Sequence, residues 1–254
     1  MKIITWNVNG IRARHAQLMD LMEREQPDVV CLQEIKASPM QVPEFPIHSP
    51  LAGDYRSYWH GSGGYSGVAL LVKRSASPVA PAGFDVTHPA FDFEYRIATA
   101  TVGGVRVAST YVPNGGKDYD AKLRFLNALA EWAEAAHAAR EPVMICGDLN
   151  VALTDRDIHP KERKPGQIGT RPEERLLIAR LIDAGLVDVA RTLDPENENL
   201  FTWWPPWRGL RQKNVGWRID YILAAGAWGP SAATCVSLRE FGTSDHAPVM
   251  ATFA

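Results

Sequence analysis

The chain has 254 residues, 46% of them hydrophobic, three cysteines, and a formal charge of -2 from 27 basic and 29 acidic residues. That is enough apolar material for one large α/β domain or two small ones, and it excludes a disordered or fibrous chain. No global positive field announces a polyanion partner, so such a partner would have to be held by a local basic patch.

"KIITWNV", rich in β-branched and aromatic residues, predicts a first strand ended by Asn9-Gly10. This start turns polar too soon for a signal peptide, and no run is long enough to span a bilayer, so we expect a cytoplasmic protein with no membrane partner. From about Arg14 to Glu25, Leu18, Leu21 and Met22 recur at helical spacing until Pro27. "DVVCLQEI" is then a buried strand with Gln33 and Glu34 at its carboxyl end. Between Ser38 and Ser66 the chain is Pro-, Gly- and aromatic-rich without a clear period, which predicts a long surface segment. "GVALLVKR", "YRIATATVG" and "VRVASTYV" follow as short strands joined by turns, implying antiparallel pairing and a mixed sheet.

Leu123, Leu126, Ala130 and Ala133 give the next helix its apolar stripe. "EPVMICGDLNVA" opens the second half as another buried strand. A helix beginning at Pro172 turns Leu177, Ile178, Leu181 and Ile182 inward and stops at Gly185. "RIDYILA", "AATCVSL" and "APVMATFA" are the closing strands. Asn7 ends a strand in one half and Asn150 in the other, which suggests two similar halves, roughly 1–140 and 141–254, packed sheet against sheet with helices outside in a single domain over 1–254. Cys31, Cys146 and Cys235 lie far apart, two of them in apolar runs, as buried thiols of a reducing compartment do.

The residues that end these strands are polar: Asn7, Asn9, Glu34, Asp148, Asn150, Asp220, and Asp245 with His246. Each alone has an ordinary reading. Asn7 can cap a helix, Glu34 can be solvated, Asp148 can form a turn after Gly147, and Asp220 can pair with Arg218. Together they mark the place where open α/β sheets bind ligands. Oxygen donors without cysteine suit hard Mg²⁺, for which Mn²⁺ can substitute, and Glu34 is the first candidate ligand. Metal beside phosphate points to phosphoryl chemistry. Asp148 can orient or deprotonate a water, and Asn150, two residues on, can hold water and phosphate. Asp220 next to His246 would fix the imidazole tautomer and raise its basicity, so that His246 donates to a phosphate oxygen.

"WNVNG", "LQEIK", "YVPNG", "GDLNVA", "GWRIDY" and "SDHAPV" occur in this order over almost the whole chain. In this the sequence resembles the exonuclease III family of abasic-site DNA endonucleases, within the endonuclease/exonuclease/phosphatase superfamily. The resemblance implies a four-layered α/β sandwich of two packed mixed β-sheets flanked by helices. It also implies a metal-dependent repair enzyme that cuts 5′ of an abasic site, with 3′-phosphodiesterase and 3′→5′ exonuclease activity. Its metal carboxylate falls on Glu34, supported by Asn7 and Asp245, its phosphate-contacting tyrosine on Tyr111, and its phosphate-side asparagine on Asn114. The water-activating pair falls on Asp148 and Asn150, and the aspartate–histidine pair on Asp220 and His246.

Trp203, Trp204, Trp207 and Trp217 are interleaved with Arg208, Arg211 and Lys213 between Phe201 and Tyr221. Part of this stretch reads as satellite core, and the remainder as a semi-rigid segment able to wedge against DNA. By the resemblance, Trp203, Trp217 and Ile219 form the pocket for the base-free sugar. The loop from Asp155 to Arg171 concentrates His159, Lys161, Arg163 and Lys164 as a DNA-backbone element. Three positions depart from relatives: Gln167 stands for a loop asparagine that reaches phosphate, Asn9 for an acid, and Lys117 for an intercalating arginine. The expected partner is double-stranded DNA carrying abasic sites or blocked 3′ ends, met by a monomer working at the nucleoid. The alternatives are an enzyme mainly of 3′ ends, one acting on other phosphodiesters, and a catalytically weak nucleic-acid-binding regulator.

Overall fold

The computed structural model describes residues 1–44, 49, 51, 53–76 and 85–254. Two six-stranded mixed sheets are stacked face to face with helices on the outer sides, the expected sandwich. The first holds β1 (Lys2–Asn7), β2 (Val29–Gln33), β3 (Tyr55–His60), β4 (Val68–Lys73), β11 (Ala232–Ser237) and β12 (Val249–Phe253) in the order β11-β12-β1-β2-β4-β3. The second holds β5 (Val86–Thr87), β6 (Ile97–Val102), β7 (Val105–Tyr111), β8 (Val143–Asp148), β9 (Leu186–Asp188) and β10 (Asp220–Ala225) in the order β5-β6-β7-β8-β10-β9.

The near-continuous apolar runs follow from burial on both faces. In β1 and β2, Ile3, Val29 and Cys31 point between the sheets, meeting Val107, Met144 and Cys146. Their neighbours Ile4, Val30 and Leu32 point outward to Leu18 and Met22 of α1 (Ile11–Glu25). On the other side α2 (Tyr119–Ala138) and α3 (Pro172–Asp183) cover the second sheet through Phe125, Leu126, Leu129, Ile178 and Leu181. Among the described residues no helix is long and apolar enough to cross a membrane.

Three details differ from the sequence reading. The expected surface segment 38–66 contains β3, an edge strand whose "YRSYWH" mixes polar and aromatic residues and fully buries only Tyr55; residues 45–48, 50 and 52 of that stretch lie outside the described residues. The short β9 and α4 (Val189–Leu193) also escape a pattern search, being too brief to establish a period. The repeat, finally, is one of topology with its own register. Each sheet has one parallel pair joined by a helix, β1-α1-β2 and β7-α2-β8, flanked by antiparallel strands in the same order. Thus β1 corresponds to β7, and β2 to β8. The strand ending near Asn150 is the partner of the one ending near Glu34, not of the one ending at Asn7, and the chain crosses between sheets after β4 and after β10 rather than near 140.

The two parallel pairs bring the carboxyl ends of β1, β2, β7 and β8 to one end of the sandwich, where β10 begins opposite the end of β8.

Candidate active site

At that end several residues other than glycine adopt left-handed backbone, among them Asn9 (φ 44), Glu34 (φ 49), Lys36 (φ 49) and Asn150 (φ 52). Such conformations cost free energy and persist only where the surrounding fold imposes them. Just before Asp148, Gly147 is required by packing, because a Cβ there would collide with the Thr110 carbonyl of the neighbouring β7. Asp148 and Asp220 are then directly opposite each other across the antiparallel β8–β10 pair.

The two carboxylates and His246 form a buried cluster whose ligating atoms all lie within 4.8 Å of one another, an arrangement able to hold a divalent metal. His246 Nδ1 is 2.9 Å from Asp220 Oδ2, and its Nε2 faces Asp148 Oδ2 at 3.8 Å. Thr202 fixes the orientation of Asp220, its hydroxyl donating at 2.6 Å. Burial disfavours the His246 charge, but Asp220 and Asp148 outweigh it and raise the imidazole above its ordinary value, leaving it protonated at neutral pH. Burial pushes the Asp148 carboxyl well above the usual carboxylate range; His246 opposes the shift, while Asp220 and Glu34 add to it. Asp148 is held by the Asn150 backbone N–H at 2.9 Å and by the side-chain amides of Asn7 at 2.9 Å and Asn150 at 3.2 Å.

Glu34 forms the second centre. Its Oε1 accepts from Tyr111 Oη at 2.8 Å and Asn7 Nδ2 at 3.0 Å. Burial and the charges of Glu34 and Asp148 push the Tyr111 phenol far up, so it stays a donor at any physiological pH. Asp245 accepts from Asn9 Nδ2 at 2.9 Å and Trp203 Nε1 at 3.0 Å. Burial works against its charge, yet His246, Trp203 and Asn9 hold its carboxyl below the ordinary range. Glu34 and Asp245 line one cavity, and carboxylate oxygens are the donors a hard divalent cation takes. Asn7 turns its NH₂ toward Glu34 and Asp148 while its oxygen accepts from the Asn9 backbone, so it orients carboxylates rather than presenting an oxygen.

A cavity of about 380 Å³ opens over these groups, lined by Glu34, Asn114, Asp148, Asn150, Asp245 and His246 together with Ile168, Trp203, Trp217 and Ile219. Trp203 and Trp217 meet edge to face at 6.1 Å, and their backbones bridge each other. The structure therefore unites the chemistry-bearing residues with the expected apolar wall. Ordinary readings fail at two places. Asn7 does not cap α1, whose N-cap is Gly10, and Asp220 does not pair with Arg218, which binds Asp157 and Asp188 instead.

The expected DNA-contact residues divide. Lys117, Lys164 and Arg208 are exposed. Arg211 is a clamp: its donors reach the carbonyls of Arg239 (2.7 Å), Ser244 (2.5 Å) and Phe241 (2.7 Å), holding the turn that precedes Asp245. Gln167 folds back to donate to the Glu162 carbonyl at 3.1 Å, and its neighbour Ile168 faces the cavity. Trp204 is core, 1% exposed, whereas Trp207 is 58% exposed.

Sequence reasoning missed three supporting cations. Buried Lys122 pairs with buried Glu174 at 2.5 Å and donates to the Asn150 carbonyl at 2.8 Å. Arg96, 1% exposed, lies over the Tyr111 ring at 4.9 Å. Lys36 lies against Glu34 at 2.7 Å. A lysine in a helix or an arginine at a strand end reads as solvated; only Lys36, inside "LQEIK", carried a sequence signal.

Paired carboxylates and a charged histidine, in a buried cluster able to hold a divalent metal at the strand ends of a two-sheet sandwich, define a phosphoester-hydrolase architecture. The model of the Endonuclease/Exonuclease/phosphatase family matches residues 4–246. An exodeoxyribonuclease of Bacillus subtilis (strain 168) is 32% identical over 98% of both chains. The chain also superimposes, with 31% identity and a TM-score of 0.87, on a Neisseria 3′ phosphatase bound to a product DNA hairpin, covering 100% of this chain and 99% of that one. An AP endonuclease from Archaeoglobus fulgidus matches with 28% identity and a TM-score of 0.85 over 100% and 99%. The chain belongs to the exonuclease III/AP-endonuclease family of the endonuclease/exonuclease/phosphatase superfamily.

Proposed function

We propose that this chain is a divalent-metal-dependent DNA repair hydrolase that cleaves the phosphodiester 5′ of abasic sites in duplex DNA and also processes 3′ ends. The observation that carries the reading is the convergence, in one cavity, of Glu34, the Asp148–Asn150 pair and His246, backed by Asp220, beside an apolar Trp203–Trp217–Ile219 wall.

Asp148 receives the proton of an attacking water, which Asn150 helps to position. The raised carboxyl makes Asp148 a stronger base than an exposed aspartate. Water oxygen bonds to phosphorus as the bond to the upstream 3′ oxygen breaks. His246, protonated and oriented by Asp220, donates from Nε2 to a phosphate oxygen and stabilises the charge that builds there. Tyr111 keeps its proton and orients Glu34. Glu34 with Asp245 would hold a Mg²⁺ ion, for which Mn²⁺ would substitute, and the ion would supply Lewis-acid stabilisation of the charge on the phosphate and the leaving oxygen. The same oxygen-rich set favours it over softer metals, although the buried Asp148–Asp220–His246 cluster is the tighter group; there, His246 Nδ1 already engages Asp220. The apolar wall suits a deoxyribose lacking its base and rejects an intact nucleotide by size.

A second reading, mainly 3′-end processing, draws on Ile168 facing the cavity where a longer polar reach was expected of Gln167. The experiment is Mg²⁺-dependent cleavage of three labelled duplexes by the wild type and Asp148→Ala: an internal abasic analogue, a 3′-blocked nick and an undamaged recessed 3′ end. Strong internal incision supports abasic endonuclease function. Activity only at termini selects the second reading, and no cleavage of any duplex overturns both. We further propose that either activity is exercised in the cytoplasm, at the nucleoid, by a monomer.

A further inference from the structure

Glu34 and Lys36 both have left-handed backbone, φ 49 at each. The Lys36 N–H donates to the Ser66 carbonyl at 2.9 Å, and its own carbonyl accepts from the Gly64 N–H at 3.1 Å. These turns fold the lysine side chain back over the carboxylate two residues earlier. Its Nζ lies 2.7 Å from Glu34 Oε2 and donates to Asn9 Oδ1 at 2.6 Å. The other oxygen of Glu34 is taken by Tyr111 and Asn7, and the Asn9 amide reaches Asp245 at 2.9 Å. The ammonium therefore occupies the two oxygens, Glu34 Oε2 and Asn9 Oδ1, that face away from the supporting hydrogen bonds.

That position has an electrostatic reason. Glu34, Asp148 and Asp245 share one small cavity, and without a cation their charges would repel in a medium that screens them poorly. Burial works against the Glu34 charge, but Lys36 and Asn7 outweigh it and hold the carboxyl below its ordinary range. The lysine side chain is 33% exposed against 17% for Glu34, so its stem has solvent to swing into. Replacing one positive charge by another gains nothing, whereas a divalent ion brings a second charge to the three carboxylates.

We propose that Lys36 is a tethered competitor for the divalent cation: its ammonium neutralises Glu34 in the metal-free protein, and the cation binds through Glu34 Oε2 by displacing it. Lys36 in this way sets the cation affinity and the preference for divalent over monovalent ions. This deepens the metal placement given under Proposed function and rests on it.

The test is Mn²⁺ binding to the intact protein without DNA, followed by the electron paramagnetic resonance of free Mn²⁺, for wild type, Lys36→Met, Lys36→Gln, Glu34→Gln and the Glu34→Gln/Lys36→Met double variant. Both lysine variants should bind Mn²⁺ more tightly by about fivefold, the factor corresponding to a partly exposed ion pair of ~1 kcal/mol. Glu34→Gln should bind it more weakly, and Lys36→Met should add nothing in that background. Unchanged or weaker Mn²⁺ binding in both lysine variants, with Glu34→Gln still impaired, overturns the competitor role while leaving the cation at Glu34. Wild-type affinity in Glu34→Gln removes the cation from Glu34 and overturns the metal placement as well.

Discussion

The buried Asp148–Asp220–His246 cluster and the tryptophan–basic segment from Phe201 to Tyr221 border the same cavity, yet different physics builds them. Sheet register fixes the first: Asp148 and Asp220 are cross-strand partners, and each oxygen of Asp148 accepts a hydrogen bond. The second is a chain that dips into the core at Phe201 and Trp204, emerges at Pro206, Trp207 and Arg208, and returns through Trp217 and Arg218. Charges set by a sheet cannot shift without loss of the pairing, whereas an exposed loop tip can change in sequence and leave the fold intact. On the proposed function, chemistry would be lodged in the rigid part, and substrate preference in the part that can vary.

The largest expected effect tests that division. Asp148→Ala and His246→Ala should each lower Mg²⁺-dependent turnover by roughly 10²–10⁴-fold, the scale of general acid–base and charge-stabilising groups. Duplex retention on a filter should stay near wild type. A matching loss of binding and of thermal stability in both variants would break the comparison, by making these residues structural.

The anchor beneath the loops comes next. Arg218, 2% exposed, donates to Asp157 at 2.7 Å and Asp188 at 2.9 Å, and Arg191 reaches Asp157 at 2.8 Å, tying the 155–171 loop to the tryptophan segment. Arg218→Met leaves buried Asp188 without its counter-charge and Asp157 with Arg191 alone, and should cost about 3–5 kcal/mol in urea unfolding at neutral pH. Burial works against the Asp157 charge, but Arg218 and Arg191 outweigh it and hold its carboxyl below the ordinary range. A lowered folded value means stability that is present above the ordinary aspartate pKa and lost as pH falls through the folded one. Asp157→Asn should therefore show a shallower loss of stability in acid than the wild type, measured by urea midpoints across that range.

Trp203 belongs to both regions, its ring to the wall and its Nε1 to Asp245. Trp203→Phe keeps most of the ring and deletes a hydrogen bond to a charged group, so incision at saturating Mg²⁺ should fall by about tenfold. A loss of abasic-site preference at unchanged rate would instead assign Trp203 to the wall alone. The smallest effects are those of the exposed cations: Lys164→Ala and Arg208→Ala should weaken duplex binding, each reducing the salt slope by about 1 with kcat unchanged. An unaltered slope would place that side chain away from the DNA path.

The sequence by itself determined the strand ends. Apolar runs capped by Asn7, Glu34, Asp148 and Asp220 mark them without any coordinates, because strands buried on both faces are nearly continuous in apolar residues and carry their ionisable groups at the ends. It also marked a tryptophan-rich segment, while the choice of Trp203, Trp217 and Ile219 as the wall rested on the family resemblance. Tertiary structure alone decided how the strands pair across the repeat, with β1 matching β7 and β2 matching β8, since hydrogen-bond partners across a sheet leave no mark in local periodicity. It alone decided as well which cations are structural. Lys122, Arg96, Arg211 and Arg218 carry the same composition as surface charges, and each is drawn into the fold by partners distant in sequence: Glu174, Tyr111, Ser244 and Asp157. A cation's role depends on what surrounds it in space, and that is fixed only once the two sheets have closed on each other.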